Sequence, residues 1–150
     1  AVASNRQLST LLAARRLRGL GTVITPHPLE AARLLDTTPA KVQADRIASA
    51  TELAASLKCI VVLKGSGTCI AAPDRLPTVN PTGNALLSTA GTGDVLAGWL
   101  AGLWAQGVGG WEAACASVWL HGDAADSALA AGRRRPLLAD DLLRRMACAP

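Results

Sequence analysis

A carboxylate set at a glycine-rich helix start is the first place in this sequence where chemistry can be read. Thr89-Ala90-Gly91-Thr92-Gly93-Asp94 leads from a polar loop into an apolar run, Val95 to Ala105. Gly91 and Gly93 permit positive φ and remove the Cβ atoms that would hold a ligand off the backbone. The first turn of a helix carries unpaired N–H groups and the positive end of the dipole. The N–H groups of Ala90, Gly91, Thr92 and Gly93 are therefore expected to form an anion hole suited to a phosphate. Asp94 at the same turn is placed to act as a general base toward a hydroxyl attacking a phosphoryl group. The plainer alternative is a tight turn and a helix capped by Thr92 or Asp94.

Three further segments carry reactive or polar side chains. Lys64-Gly65-Ser66-Gly67-Thr68 follows an apolar run and precedes another. It lacks the spacing and following helix of a Walker loop. It still offers backbone N–H groups, hydroxyls and one ammonium at a single point, which suits nucleotide phosphates; the alternative is a Gly-rich hairpin with a solvated lysine. His27 stands between Pro26 and Pro28 at the end of a short β-branched run. The carboxyl end of a strand is where open α/β sheets bind ligands, and a neutral imidazole there can hydrogen-bond a substrate amide or phosphate. Asn80-Pro81-Thr82-Gly83-Asn84 is expected to close over the 89–93 loop. Its Asn80, Thr82 and Asn84 side chains either pin loop backbone or order phosphate-bound water and metal. His121 reads as a packed helix histidine rather than a ligand.

The elements that must position these residues follow from periodicity. Apolar residues at 8, 11, 12 and 17 predict an amphipathic helix from Gln7 to Leu17. Thr22 to Ile24 reads as a strand, and Leu29 to Leu35 as a helix with Pro28 in its first turn. A helix capped by Thr38 runs to Leu57 on a broad apolar stripe, with Gln43, Asp45 and Arg46 facing solvent. Cys59 to Leu63 is a strand buried on both faces, Cys69 to Ala72 a second, and Leu76 to Val79 is extended. Val95 to Ala105 and Trp111 to Ala131 are helices, and Asp140 or Asp141 caps a last one, Leu142 to Ala147. Gly98 and Gly102 share one helix face and suggest close helix packing. Strands alternating with helices imply an α/β fold with a mostly parallel central sheet, partly antiparallel at Gly65 to Thr68.

Composition sets the remaining bounds. The 150 residues suit one domain at most, and at 50% hydrophobic and 17% charged they can bury a substantial core. There is no Phe or Tyr, so that core must come from Leu, Val, Ile and Ala with four Trp. The scarcity of aromatics removes a stacking platform for single-stranded nucleic acid. The net charge of +4 is concentrated in Arg15-Arg16-Leu17-Arg18 and Arg133-Arg134-Arg135, which read as solvated helix faces. Cys59, Cys69, Cys115 and Cys148 show neither disulfide nor zinc spacing, and the first three are expected to be buried thiols. No metal-ligating cluster stands out. The longest apolar run, Val95 to Ala105, is too short to span a bilayer, and a cytoplasmic, membrane-free protein is expected.

Thr25-Pro26-His27-Pro28, Val62-Leu63-Lys64-Gly65-Ser66-Gly67-Thr68, Asn80 to Asn84 and Ala90 to Asp94 together resemble the ADP/ATP-dependent NAD(P)H-hydrate dehydratases of the ribokinase-like superfamily. The resemblance covers roughly positions 21 to 146. It implies a ribokinase-like three-layer α/β/α sandwich, incomplete at the N-terminus, with residues 1–150 forming the C-terminal portion of one domain. It implies dehydration of the S epimer of hydrated NAD(P)H, with ADP, or ATP, as phosphoryl donor and Mg²⁺ on its phosphates. Asp94 would be the catalytic base and, with His27, would contact substrate. Lys64, Gly65, Ser66, Gly67, Thr68 and Gly93 would hold the adenine nucleotide. A homo-oligomer, a tetramer being one such, and fusion to an NAD(P)H-hydrate epimerase domain in the parent protein are further implications. Leu29 stands where the resembled family usually has glycine. Two other readings are a ribokinase-like kinase of a vitamin precursor and a truncated nucleotide-binding fragment without catalysis.

Overall fold

A computed structural model describes residues 6–148, which form two compact units dividing after Val79. In the first unit the order is α1 (Arg6–Leu17), β1 (Val23–Ile24), α2 (Pro28–Leu34), α3 (Pro39–Ala44), α4 (Arg46–Leu57), β2 (Ile60–Leu63), β3 (Cys69–Ala72) and β4 (Arg75–Val79). The strands form one sheet in the order β1-β2-β3-β4. β1 pairs with β2 in parallel, which requires the long crossover that α2 to α4 supply. The two later pairs are antiparallel. Among the described residues the sheet is thus mixed rather than mostly parallel. The antiparallel part expected at Gly65 to Thr68 extends one strand further, because a two-residue turn at Pro73-Asp74 leaves room for nothing but a hairpin.

The core of this unit lies between α4 and the sheet. Leu53, Ala54 and Leu57 of α4 pack with Val61, Leu63, Cys69 and Ala71, joined by Ala31, Ala32 and Val42 from α2 and α3. Val62 and Ile70 point to the other face by the two-residue period and are also buried, as expected for a strand covered on both sides. Truncating the fully buried Leu53 to Ala would cost about 2–5 kcal/mol.

The single helix expected from Thr38 to Leu57 is two. Thr38 caps α3 by accepting from Lys41 N–H. Asp45 then leaves helical geometry, at φ −142° and ψ 88°, and its carboxylate accepts from Ala48 N–H to cap α4. An uninterrupted apolar stripe hid that break. On α1, Leu8 lies outside the described side chains, while Leu11 and Leu17 are 60% and 90% exposed, so the predicted apolar face is not buried there. The adjacent arginines are more engaged than a solvated face would be. Arg15 donates to Thr22 Oγ1 and Gly21 O, and Arg16 pairs with Asp74 at 2.6 Å.

The second unit holds a 3₁₀ turn (Ala85–Leu87), α5 (Thr92–Ala105), α6 (Gly110–Ala130) and α7 (Ala139–Ala147). Its core joins Leu86, Ala124, Ala125, Ala128, Leu137, Leu142 and Met146, with Val95 and Trp99 against it. The alanines of α6 let neighbouring elements approach closely without large aromatics. Gly98 and Gly102 do not serve this end: a Cβ at either would meet nothing within 4 Å. Asp141, not Asp140, serves the start of α7, accepting from Leu138 N–H and pairing with Arg133 at 2.7 Å. That backbone donor, reinforced by Arg133, holds the Asp141 carboxyl below its ordinary range.

Cys59 and Cys69 are buried, Cys115 is intermediate and Cys148 exposed. Burial pushes the Cys59 thiol from an ordinary 9.0 up to about 11. Iodoacetamide at neutral pH should therefore modify Cys148 well before Cys59 or Cys69, as read by peptide mass spectrometry. The raised value also has a sign for stability. The unfolded thiol ionises first, so the Cys59 contribution is intact below pH 9.0 and is lost as pH rises toward about 11.

Candidate functional site

The candidate residues fall into two sets, one in each unit. In the first, the parallel pair β1 and β2 ends at two turns that are tied together, Lys64 N–H donating to Pro26 O at 2.9 Å. His27 and the Lys64 to Thr68 loop therefore lie together at the carboxyl end of the parallel pair. His27 is exposed and caps α2: its Nδ1 accepts from Glu30 N–H at 3.2 Å, and its own N–H donates to Glu30 Oε2 at 2.8 Å. Because Nδ1 is an acceptor, the neutral ring carries its proton on Nε2. Glu30 Oε2 lies 3.5 Å from that nitrogen, so the Nε2 side of the ring faces the same carboxylate that His27 N–H binds. Leu29 follows in the first helical turn, 44% exposed, where an α-helical backbone accepts any L residue. Its replacement of glycine leaves the turn regular.

The Lys64 to Thr68 loop needs its glycines. Gly65 has φ +146° and Gly67 φ +64°. A Cβ at Gly65 would lie 2.7 Å from Arg46 Nη1. Arg46 was expected to face solvent; it instead reaches from the first turn of α4 to the loop, where Nη2 donates to Leu63 O at 3.0 Å and Gly67 O at 3.3 Å. Nη1 donates to Gln43 Oε1 at 2.6 Å. The signal that could have found it is the α3–α4 break at Asp45, which places Arg46 in a first turn rather than mid-helix.

In the second unit, Gly91 takes φ +89° and stands as N-cap of α5 without a side-chain cap. Neither Thr92 nor Asp94 caps the helix, contrary to the plainer expectation. Thr92 is buried, and its hydroxyl is bound to the loop carbonyls of Leu87 and Thr89. Asp94 N–H and Val95 N–H both go to Gly91 O. Among the described residues, the N–H groups of Ala90, Gly91 and Gly93 meet no backbone or side-chain acceptor. Thr92 N–H is directed at Thr89 O over a long 3.5 Å. Asp94 is exposed and its carboxylate meets no protein partner among those residues. Open donors beside an unengaged carboxylate are what anion binding with proton abstraction requires.

The Asn80 to Asn84 segment lies against α6. Asn80 is 8% exposed and donates to Thr82 O at 2.9 Å. Thr82 donates to Trp119 O. Asn84 caps the 3₁₀ turn by accepting from Leu86 N–H, and its amide donates to Asp126. Asp126 also accepts from Gly83 N–H at 2.8 Å. Asn80 and Asn84 thus pin backbone of their own segment, at Thr82 O and Leu86 N–H. His121 donates from Nε2 to Thr92 O at 2.9 Å, steadying the first turn of α5. Gly122 is the close-approach point: a Cβ there would lie 2.6 Å from the Thr82 carbonyl carbon. Sequence reasoning missed Asp126 and Gly122, since neither belongs to a loop motif.

Fold and loops together define an α/β chain of the ribokinase-like type: a ribokinase-like superfamily protein from Enterococcus faecalis matches with a TM-score of 0.68 at 28% identity, over 92% of this chain and 50% of that one. The chain belongs to the NAD(P)H-hydrate dehydratase family, whose model matches residues 7–147. It is similar to an ADP/ATP-dependent NAD(P)H-hydrate dehydratase from Bacillus subtilis crystallised with ATP and Mg²⁺, with a TM-score of 0.80 at 35% identity, over 85% of this chain and 46% of that one. An ADP-dependent (S)-NAD(P)H-hydrate dehydratase from Neisseria meningitidis is 58% identical over 104 residues, 69% of this chain and 35% of the relative. A bifunctional NAD(P)H-hydrate repair enzyme from Moorella thermoacetica is 48% identical over 121 residues, 81% of this chain and 23% of the relative. The chain thus spans less than half the length of these dehydratases and repair enzymes.

Gly122→Ala should force the Asn80 to Asn84 loop off α6 and lower stability by about 1–3 kcal/mol, the ordinary cost of overpacking. Urea unfolding of the variant checks this, and an unchanged midpoint would show that the loop yields freely.

Proposed function

We propose that this chain serves the nucleotide-dependent dehydration of (S)-NAD(P)H hydrate back to NAD(P)H, with ADP as the phosphoryl donor. The observation that carries the reading is the start of α5: Gly91 at φ +89°, unengaged N–H groups at Ala90, Gly91 and Gly93, and the unpartnered Asp94 carboxylate. Membership of the dehydratase family and the ADP dependence named for the Neisseria relative support the choice of reaction.

The chemistry answers a leaving-group problem. Hydrated NAD(P)H carries a hydroxyl on its nicotinamide ring, and hydroxide leaves poorly. Asp94 takes the hydroxyl proton as the oxygen attacks the terminal phosphorus of ADP, and AMP departs. The Ala90 to Gly93 N–H groups stabilise charge on the moving phosphoryl. Expulsion of phosphate and loss of a ring proton then restore the double bond. The Lys64 to Thr68 segment supplies an ammonium, hydroxyls and backbone donors to the nucleotide phosphates, and His27 offers its Nε2–H to the substrate.

Among the described residues no group of three or more His, Cys, Asp or Glu side chains is arranged to hold a metal. Asn80 and Asn84 are committed to Thr82, Leu86 and Asp126. That fits a Mg²⁺ ion carried in on nucleotide phosphates and water, with few oxygens from the chain. When bound, it neutralises phosphate charge. Homo-oligomeric assembly, an epimerase domain in the parent protein and a cytoplasmic setting accompany this reading; among the described residues no helix is long and apolar enough to cross a membrane.

Asp94→Asn in the intact protein should lower turnover of hydrated NADH about 10²–10⁴-fold while ADP affinity changes little. Recovery of NADH absorbance and release of inorganic phosphate measure the first, calorimetric titration the second. Undiminished turnover removes Asp94 from the mechanism. A stable phosphorylated product in place of phosphate would make the protein a small-molecule kinase.

A further inference from the structure

We propose that Arg46 is a positioning residue for the nucleotide, acting through the Lys64 to Thr68 loop rather than by contact with the ligand. The inference deepens the functional reading above and rests on it for the identity of the ligand. Arg46 is the first residue of α4, held at that point by the Asp45 cap. Its guanidinium spans the mouth of the β2–β3 hairpin, donating from Nη2 to Leu63 O on one side and Gly67 O on the other. Gln43 holds the opposite nitrogen, Nη1, through a 2.6 Å hydrogen bond. The planar fork also fills the space beside Gly65, where any Cβ would collide with it. Its Nε is buried without a hydrogen-bond partner, a cost retained while the two terminal nitrogens make three bonds.

The arrangement has a directional consequence. Among the described residues no peptide bond is cis. In a planar trans peptide the carbonyl and the following N–H point to opposite sides. Drawing Gly67 O onto Arg46 therefore turns Thr68 N–H away from the guanidinium. Without Arg46, two glycines of wide conformational freedom would leave the loop carbonyls able to rotate toward an incoming polyanion, which they would repel. A lysine has one charged nitrogen and no fork, so it can hold the carbonyls but not brace the Gly65 face.

Arg46→Met, Arg46→Lys and Gln43→Ala in the intact protein test this with two readouts. The first is amide hydrogen exchange without ligand. Arg46→Met should speed exchange across residues 64–68 about tenfold or more while Val61, Val62 and Ala71 stay protected, with Gln43→Ala intermediate. The second is ADP binding by calorimetry. Arg46→Met should weaken it about tenfold, the equivalent of one lost hydrogen bond or two, with partial recovery in Arg46→Lys. Unchanged loop exchange in Arg46→Met would overturn the bracing role. Faster loop exchange with unchanged ADP affinity would overturn the positioning role. Should Arg46→Met not fold, Gln43→Ala decides: unaltered loop exchange and ADP affinity in it would refute the proposal. Failure of the unmodified protein to bind ADP is a different result; it refutes the nucleotide reading, and the exchange data still judge the brace.

Discussion

Backbone polar groups stranded where a helix or strand stops must find partners, and in this protein side chains from neighbouring helices supply them. Leu63 O and Gly67 O are taken by Arg46 of α4 and Gly83 N–H by Asp126 of α6, while Glu30 N–H is capped by His27 of its own helix and His121 of α6 adds a bond to Thr92 O. Each of these bonds holds a segment that carries candidate chemistry. The loops are consequently shaped by helices whose own sequences show no functional motif. An unpaired buried peptide group costs roughly 1–3 kcal/mol, so the part-buried ties from Arg46 to Leu63 O and Gly67 O constrain their loop most firmly.

Against this background of satisfied groups, the start of α5 is the exception. Thr92 has its hydroxyl engaged with Leu87 O and Thr89 O, which fixes the turn from beneath. The N–H groups around it stay open and the Asp94 carboxylate stays exposed. Rigid support with unengaged donors is the preorganisation that charge stabilisation at a phosphoryl group needs, since no reorganisation is required when charge develops. His27 shows a related economy: its Nδ1 caps α2 by accepting from Glu30 N–H, while its Nε2 lies 3.5 Å from the Glu30 carboxylate.

The sequence made the glycine-bearing loops legible because positive φ restricts residue choice so strongly. Of the two glycines read for positive φ, Gly91 adopts it and Gly93 lies instead in the first turn of α5; Gly65 and Gly67 adopt it as well. Strand positions also read well, since β2 is a short β-branched run buried on both faces. The errors came where one local pattern overrode another. An apolar stripe running through residues 42–57 concealed the Asp45 break, because the core faces of α3 and α4 continue in phase with one helix. The apolar residues of α1 followed helical spacing, yet Leu11 and Leu17 are exposed. The parallel character expected of the sheet gave way to hairpins because Gly65 to Thr68 and Pro73-Asp74 are too short for a crossover.

By itself the sequence determined the fold class, the glycine turn before α5, the carboxylate that follows it and the family. These are local properties, encoded by glycine placement, strand-end motifs and periodicity over a few residues. Only the tertiary structure decided which side chains shape those loops. Arg46 lies 17 residues from the Leu63 carbonyl it holds, Asp126 lies 43 from Gly83, and Gly122 matters solely because Thr82 packs onto it. Such partners are chosen by the packing of helices against loops, and spacing along the chain carries no record of that contact.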